Sequence, residues 1–471
     1  MEKMKKATKD IEEKVTLKGK LVWDRYGDAQ FEEAFSFAEG YKTFLNRVKT
    51  EREAVEAIVQ SAQGEGFCAV SEKGTGKRIY RLNKAKSIGL ATVGKRPLEE
   101  GLRIIVSHID CPRLDLKQNP LYEELDMAML RTHYYGGIKK YQWVAQPLAM
   151  HGIIVTTDGK KVKITIGEGE GDPVFTICDL LPHLSRKVQE EKKLKEAIEG
   201  EKLTILAGHL PFADQEAKER VKLRVLELLH REYGIVEEDF LSAELELVPA
   251  SKARDVGFDR AFVASYGQDD RVCAYASLKA IEAVKNPPVT TMALFLDKEE
   301  VGSEGNTGAK SRFLEHFTAD ILRAAGTEPS AMLINEVLFR SKAISADGTA
   351  GIDPNYKDVH EPQNNAKIGY GVCLSKFTGA GGKYSSSDAS AEYVGEIREL
   401  FNRKGITWQM GELGKVDEGG GGTVAKYLAL YGMDIIDCGT PLLSMHSPFE
   451  VASKGDIYET FRAYQVFLEE G

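Results

Sequence analysis

Two adjacent glutamates, Glu299 and Glu300 in the stretch Asp297-Lys298-Glu299-Glu300-Val301-Gly302, stand where the apolar run from Met292 to Leu296 gives out into glycines. Carboxylates crowded at the mouth of a buried strand repel each other, and one holds its proton unless a cation intervenes. The pair therefore points to a bound cation. Other motifs share the placement at the carboxyl end of a strand-like run: "RIIVSHID" with His108 and Asp110, "KAISADG" with Asp347, and "MDIIDCGTPLLSMHS" with His446. In an open α/β sheet that edge is where ligands bind. A further motif, "YGQDDRVCAYASLKAIEAV", sets Asp269 and Asp270 where a loop enters a helix. An isolated Asp there would ordinarily be an N-cap.

Histidine nitrogen and carboxylate oxygen together suit zinc, and hydrolytic sites with two ions hold them about 3.5–4 Å apart across a bridging ligand. Asp269 is assigned as the bridge because a carboxylate has two oxygens. His108 and Asp347 would complete one ion, and Glu300 and His446 the other. In H-x-D, residues two apart on a strand face the same way, so Asp110 can accept the remaining imidazole proton of His108 and fix the ring. Successive residues in extended chain point oppositely, so Glu299 and Glu300 cannot serve one ion alike. Glu299 is assigned as general base and Glu300 as ligand, an order that composition does not dictate. The remaining histidines, His133, His151, His209, His230, His316 and His360, read as surface or core residues. The run "DEGGGGT" (417–423) lacks the lysine and spacing of a P-loop and reads as backbone that approaches a site closely.

The elements that must position these residues alternate in character. Residues 29–63 carry apolar positions at helical spacing, and 102–110 is a β-branched strand. Residues 151–175 alternate and turn at Asp158-Gly159, a hairpin signal. After a helix over 216–234 and a strand within 241–259, helices are expected at 270–284, 307–325, 388–404 and 453–470, with strands at 291–297, 331–337, 366–375 and 433–438. The order predicts an α/β domain in two segments, 1–111 and 252–471, which would carry these residues, interrupted by a β-rich insertion over 112–251.

A chain of 471 residues exceeds one ordinary core, which agrees with two domains. A net charge of −9 argues against a nucleic-acid or anionic-membrane partner. No apolar run approaches the roughly 20 residues of a membrane span. The opening "MEKMKKATKDIEEKV" has no apolar core of a signal peptide, and the cysteines form no C-x-x-C pair, so a reducing cytoplasm is expected.

With these residues in place the sequence resembles the aspartyl aminopeptidase and vacuolar aminopeptidase I family of dinuclear zinc exopeptidases. The likeness runs nearly end to end through "SHIDCPRLDLK", "DLLPHL", "GQDDR", "DKEEVGS", "SADGTAGIDPNY", "GGGGT" and "MHSPFE". It implies a zinc-peptidase-like α/β/α domain with an inserted dimerisation domain, two Zn²⁺ per subunit (Co²⁺ or Mn²⁺ as possible substitutes), and homo-oligomers built from dimers, commonly dodecamers. It also implies that His183 of "DLLPHL" reaches a neighbouring subunit's active site, and that Lys376 and Tyr384 meet an acidic substrate side chain. Departures are Ile109 and Cys111 within the H-x-D-x-P motif, Phe449 where Arg is common, and a spacing from Lys376 to Tyr384 one residue longer. The expected activity is hydrolysis of acidic or neutral N-terminal residues from peptides. The metal set alone would equally serve a deacylase or carboxypeptidase, or a scaffold that binds peptides without cleaving them.

Overall fold

The computed structural model describes residues 11, 12, 14–71 and 76–470. Most of the charged leader, residues 1–10 and 13, lies outside the described residues, as do 72–75 and 471.

Strand Arg103–His108 lies inside a nine-stranded sheet, with Thr291–Leu296 on one side and Lys342–Ser345, then Asp434–Gly439, on the other. These four run parallel. A parallel strand is covered on both faces, so its residues are apolar without alternation, and every residue of Thr291–Leu296 is buried. Odd and even positions then divide between two cores. Ile105, Phe295, Ile344 and Ile436 pack against helices Gln268–Ala283 and Lys454–Glu470. Ile104, Leu294, Ala343 and Ile435 pack against Phe313–Ala324 and Ala331–Phe339. The result is a three-layer α/β/α arrangement whose register pairs Leu296 with His108 and Ser345 with Val106, so the segments following these strands emerge along one edge.

Three expectations are corrected. Residues 331–337 form not a strand but the start of helix Ala331–Phe339. A short apolar run is ambiguous between the two states, and the Ser330 side chain settles it by accepting the Leu333 N–H at 3.2 Å as an N-cap. The strand expected over 366–375 is regular only in Val372–Ser375, because Gly369 and Gly371 take φ of +86° and +82°. The helix expected from 307 begins at Phe313.

A second, six-stranded antiparallel sheet runs in the order Lys161–Ile166, Leu148–Val155, Glu244–Pro249, Arg113–Glu124, Met127–Tyr135, Thr204–Gly208. It has its own core, including Leu130, Trp143, Leu148, Ile205 and Leu247, with helix Arg220–Tyr233 against it. A third sheet gathers the loops around the edge of the first. Phe262–Ser265 precedes Asp269, Thr349–Ala350 follows Asp347, and the strands Pro441–Leu443 and Glu450–Ser453 enclose His446; all are joined in one five-stranded array. No helix among the described residues is long and apolar enough to cross a membrane.

Candidate metal centre

His108 ends its strand fully buried, with Nε2 3.3 Å from Asp347 Oδ1. Its Nδ1 faces Asp110, 3.2 Å from the carbonyl oxygen and 3.5 Å from Oδ1. Asp110 also accepts the backbone N–H of Glu299 at 3.0 Å, that of Glu300 at 3.2 Å, and the Tyr135 hydroxyl at 2.8 Å. Those two N–H bonds draw the chain out of the extended form immediately after the strand. Glu299–Val301 is a 3₁₀ turn entered through Lys298 at φ +69°, which corrects the expectation of an extended pair. In such a turn successive side chains diverge by about 120°. Glu300 accordingly meets His446, Oε1 to Nε2 at 3.2 Å, while Glu299 groups with His108 and Asp347.

Asp269 and Asp270 occupy the first turn of Gln268–Ala283, where free N–H groups and the helix dipole favour negative charge. Asp269 Oδ2 lies 3.1 Å from His446 Nε2. His446 sits at φ +62°, a left-handed conformation costing on the order of 1 kcal/mol for a non-glycine residue. Glu450 holds it there by accepting the His446 N–H at 2.7 Å, and the same carboxylate takes the Gln268 and Asp269 N–H groups. One buried glutamate thus ties the His446 loop to the helix that carries Asp269.

Carboxylates outnumber cations here. Burial, then Asp347, pushes Glu299 up to about 9. Burial also raises Glu300, and it raises Asp347 although His108 works against it. Burial would lower His446, but hydrogen bonds to Asp269 and Glu300 lift it instead; His108 is raised against its burial chiefly by Asp347. Asp269 Oδ1 and Asp270 Oδ1 have no hydrogen-bond partner among the described residues. Such a donor set fits a cation. Zinc bonds of about 2.0–2.2 Å put the corners of a tetrahedron about 3.3 Å apart, which matches the 3.1, 3.2 and 3.3 Å between the donor atoms above. Gly348 lets the backbone pass this close, because a Cβ there would lie 2.0 Å from Asp269 Oδ1.

A cavity of about 170 Å³ opens on this cluster, lined beyond the acids and His446 by Ser375, Phe377, Thr378, Leu413, Met445 and Asp437 among others. Lys376 and Tyr384 do not line it. Lys376 Nζ lies 3.9 Å from Asp388 Oδ1 at the surface, and Tyr384 is 77% exposed. His183 is exposed on the short helix Pro182–Ser185 and likewise does not line it. A larger, mostly apolar cavity of about 340 Å³ beneath helix Arg220–Tyr233 contains none of these residues.

Sequence reasoning missed Glu450, Tyr135 and Asp437. Glu450 lies within "MHSPFE", where the histidine and Phe449 carry the visible signal. Tyr135 is one aromatic residue at a strand end. Asp437, pushed by burial up to about 7, accepts the Thr423 hydroxyl at 2.6 Å, inside a run that reads as an ordinary buried strand.

Comparison with known proteins places the chain in a family. The family model described as aminopeptidase I zinc metalloprotease (M18) matches residues 44–468. A probable M18 family aminopeptidase 1 of Clostridium acetobutylicum is 48% identical over 456 residues, covering 95% of this chain and 98% of that protein. The crystal structure of an M18 family aminopeptidase from Thermotoga maritima superposes with a TM-score of 0.93 at 46% identity, covering 97% of this chain and all of that one. More distantly, at 20% identity, the fold matches an S. cerevisiae mApe1 dodecamer with a TM-score of 0.73, covering 92% and 96% of the two chains.

Proposed function

The chain belongs to the aminopeptidase I zinc metalloprotease family (M18), and from that premise we propose how its residues divide the work. It is a zinc-dependent aminopeptidase, a hydrolase that removes residues from peptide amino termini. In our reading each subunit holds two ions. His108 and Asp347 would hold one, Glu300 and His446 the other, and Asp269 would serve both. Two donor clusters support this: His446 Nε2 with Asp269 and Glu300 at 3.1 and 3.2 Å, and His108 Nε2 with Asp347 at 3.3 Å.

When bound, zinc supplies Lewis acidity toward the scissile carbonyl and lowers the pKa of water. Glu299, outside the His446 cluster, takes the proton of the attacking water and returns it to the leaving amine. Asp110 keeps His108 in the tautomer with Nε2 bare. Its carboxylate also anchors the turn that aims Glu299. The chain acts in the cytoplasm as a homo-oligomer built from dimers, through the insertion 112–251, up to a dodecamer. Metal content, and turnover of aminoacyl anilides against N-acetyl amino acids and C-terminal substrates, tests the reading. We expect about two zinc ions per subunit, and turnover confined to free amino termini. One ion per subunit at full activity would overturn the dinuclear assignment.

The cavity favours a neutral N-terminal residue. Its walls beyond the metal donors and Glu299 include apolar, hydroxyl and thiol groups with one further acid, Asp437, and Lys376 stands outside them beside Asp388. Leu-anilide should therefore be cleaved faster than Asp- or Glu-anilide, and Lys376→Ala should leave that order intact. A wild-type preference for acidic anilides that Lys376→Ala abolishes would bring Lys376 into the substrate site.

A further inference from the structure

The end of the second sheet's strand and the turn after it touch the metal centre at two points, two positions apart in sequence. Strand Met127–Tyr135 ends on Tyr135, whose hydroxyl donates to Asp110 Oδ2 at 2.8 Å. The Gly137 carbonyl oxygen then accepts from His446 Nδ1 at 3.1 Å. The first contact acts on His108 through Asp110. The second acts on His446 directly and leaves its Nε2 free to face Asp269 and Glu300. We propose that Tyr135-Gly136-Gly137 is a positioning strap that sets the two histidine ends of the metal centre relative to each other. This rests on the reading of His108 and His446 as metal ligands.

The strap is held from behind. Tyr135 is the cross-strand partner of Arg113, whose guanidinium stacks 4.0 Å from the centre of the phenol ring. Arg113 is itself buried among Asp115 at 2.8 Å, Glu246 at 3.2 Å and Glu51 at 3.5 Å, so the ring has a rigid backing. Downstream the chain is pinned by Trp143, wholly buried and edge-on to Tyr266. Between these anchors the backbone passes close to the centre. Gly136 takes φ +73°, and a Cβ there would lie 3.4 Å from Glu300 Cβ; a Cβ on Gly137 would lie 3.3 Å from His446 Nδ1. A segment with only a packing role would not need a hydroxyl aimed at Asp110 and a carbonyl aimed at His446. The strap belongs to the second sheet, so the geometry of the metal centre depends on how the two sheets are docked.

Tyr135→Phe removes one hydroxyl and keeps the ring on Arg113. Gly137→Ala leaves the Tyr135 contact intact and crowds the His446 ring. For both variants and the wild type, the measurements are apo-protein melting temperature, Co²⁺ affinity by competition, the Co²⁺ absorption spectrum, and kcat and KM. We expect each variant to melt as the wild type, to bind Co²⁺ with an altered spectrum, and to lose about 10–100-fold in metal affinity or kcat, with KM nearly unchanged. Tyr134→Phe, next in sequence and exposed, should change none of these. Wild-type affinity, spectrum and kcat in both variants would overturn the strap, as would losses that merely follow a fall in melting temperature. A His108→Ala variant that retained its full metal content would instead count against the ligand reading, which separates the two failures.

Discussion

Glu299→Gln should keep the metal content of the wild type and lose about 10²–10⁴-fold in kcat, the range for a positioned proton carrier. The substitution is nearly isosteric. The turn that carries Glu299 is fixed by its backbone N–H to Asp110, so glutamine should hold the same place. What it loses is the ability to accept a proton. Burial and the neighbouring Asp347 press this carboxyl toward its neutral form, and cations bound beside it would draw it back to the carboxylate that a base must be. Asp269→Ala gives the contrast. Asp269 lies against His446 and groups with His108 and Glu300, so its loss should strip metal. Elemental analysis beside steady-state kinetics decides the matter. If Glu299→Gln loses metal as fully as Asp269→Ala, Glu299 is a ligand and the proposed base lies elsewhere.

His183→Ala should cost about 10²–10³-fold in kcat, the effect of removing one well-placed donor to the developing oxyanion, and the loss should be repairable by a neighbouring subunit. His183 does not line the cavity of its own chain. It stands among exposed apolar side chains, with Leu181 49%, Leu184 65% and Val188 46% accessible. A neighbouring subunit packed here would cover them. Homomers of His183→Ala and of Glu299→Gln should each be nearly inactive. Unfolded together and reassembled, they should recover activity, because some interfaces pair an intact Glu299 centre with an intact His183. Mixed oligomers seen by mass spectrometry and still inactive would show that His183 does not act across the interface.

Much of the candidate site was legible because its donors follow apolar runs whose periodicity is local. His108, Glu299, Glu300 and Asp347 could be placed at strand ends without knowing which strands are neighbours. The same local signal failed where it is ambiguous. Residues 331–337 read as a strand until the Ser330 cap showed a helix, and 366–375 read as one strand although Gly369 and Gly371 break it. Glu450 and Tyr135 carried no signal. Glu450 acts through three backbone N–H groups and Tyr135 through one hydroxyl, on partners that only the fold brings near.

The sequence by itself determined which side chains could hold a cation and that each follows a strand or opens a helix. Hydrophobic patterning along a few residues suffices for that. Only the tertiary structure decided that Leu296 pairs with His108 and Ser345 with Val106, which brings donors from residues 108, 299, 300 and 347 to one edge. It also decided how the glutamate pair divides. The sequence reading assumed alternation along an extended chain, whereas the fold turns them through a 3₁₀ turn because Asp110 captures both backbone N–H groups. The second sheet's contacts with Asp110 and His446 likewise arise from how two sheets dock. The physical reason is common to all three. Periodicity is a property of neighbours in sequence, whereas register and the pairing of buried polar groups are satisfied between segments tens to hundreds of residues apart.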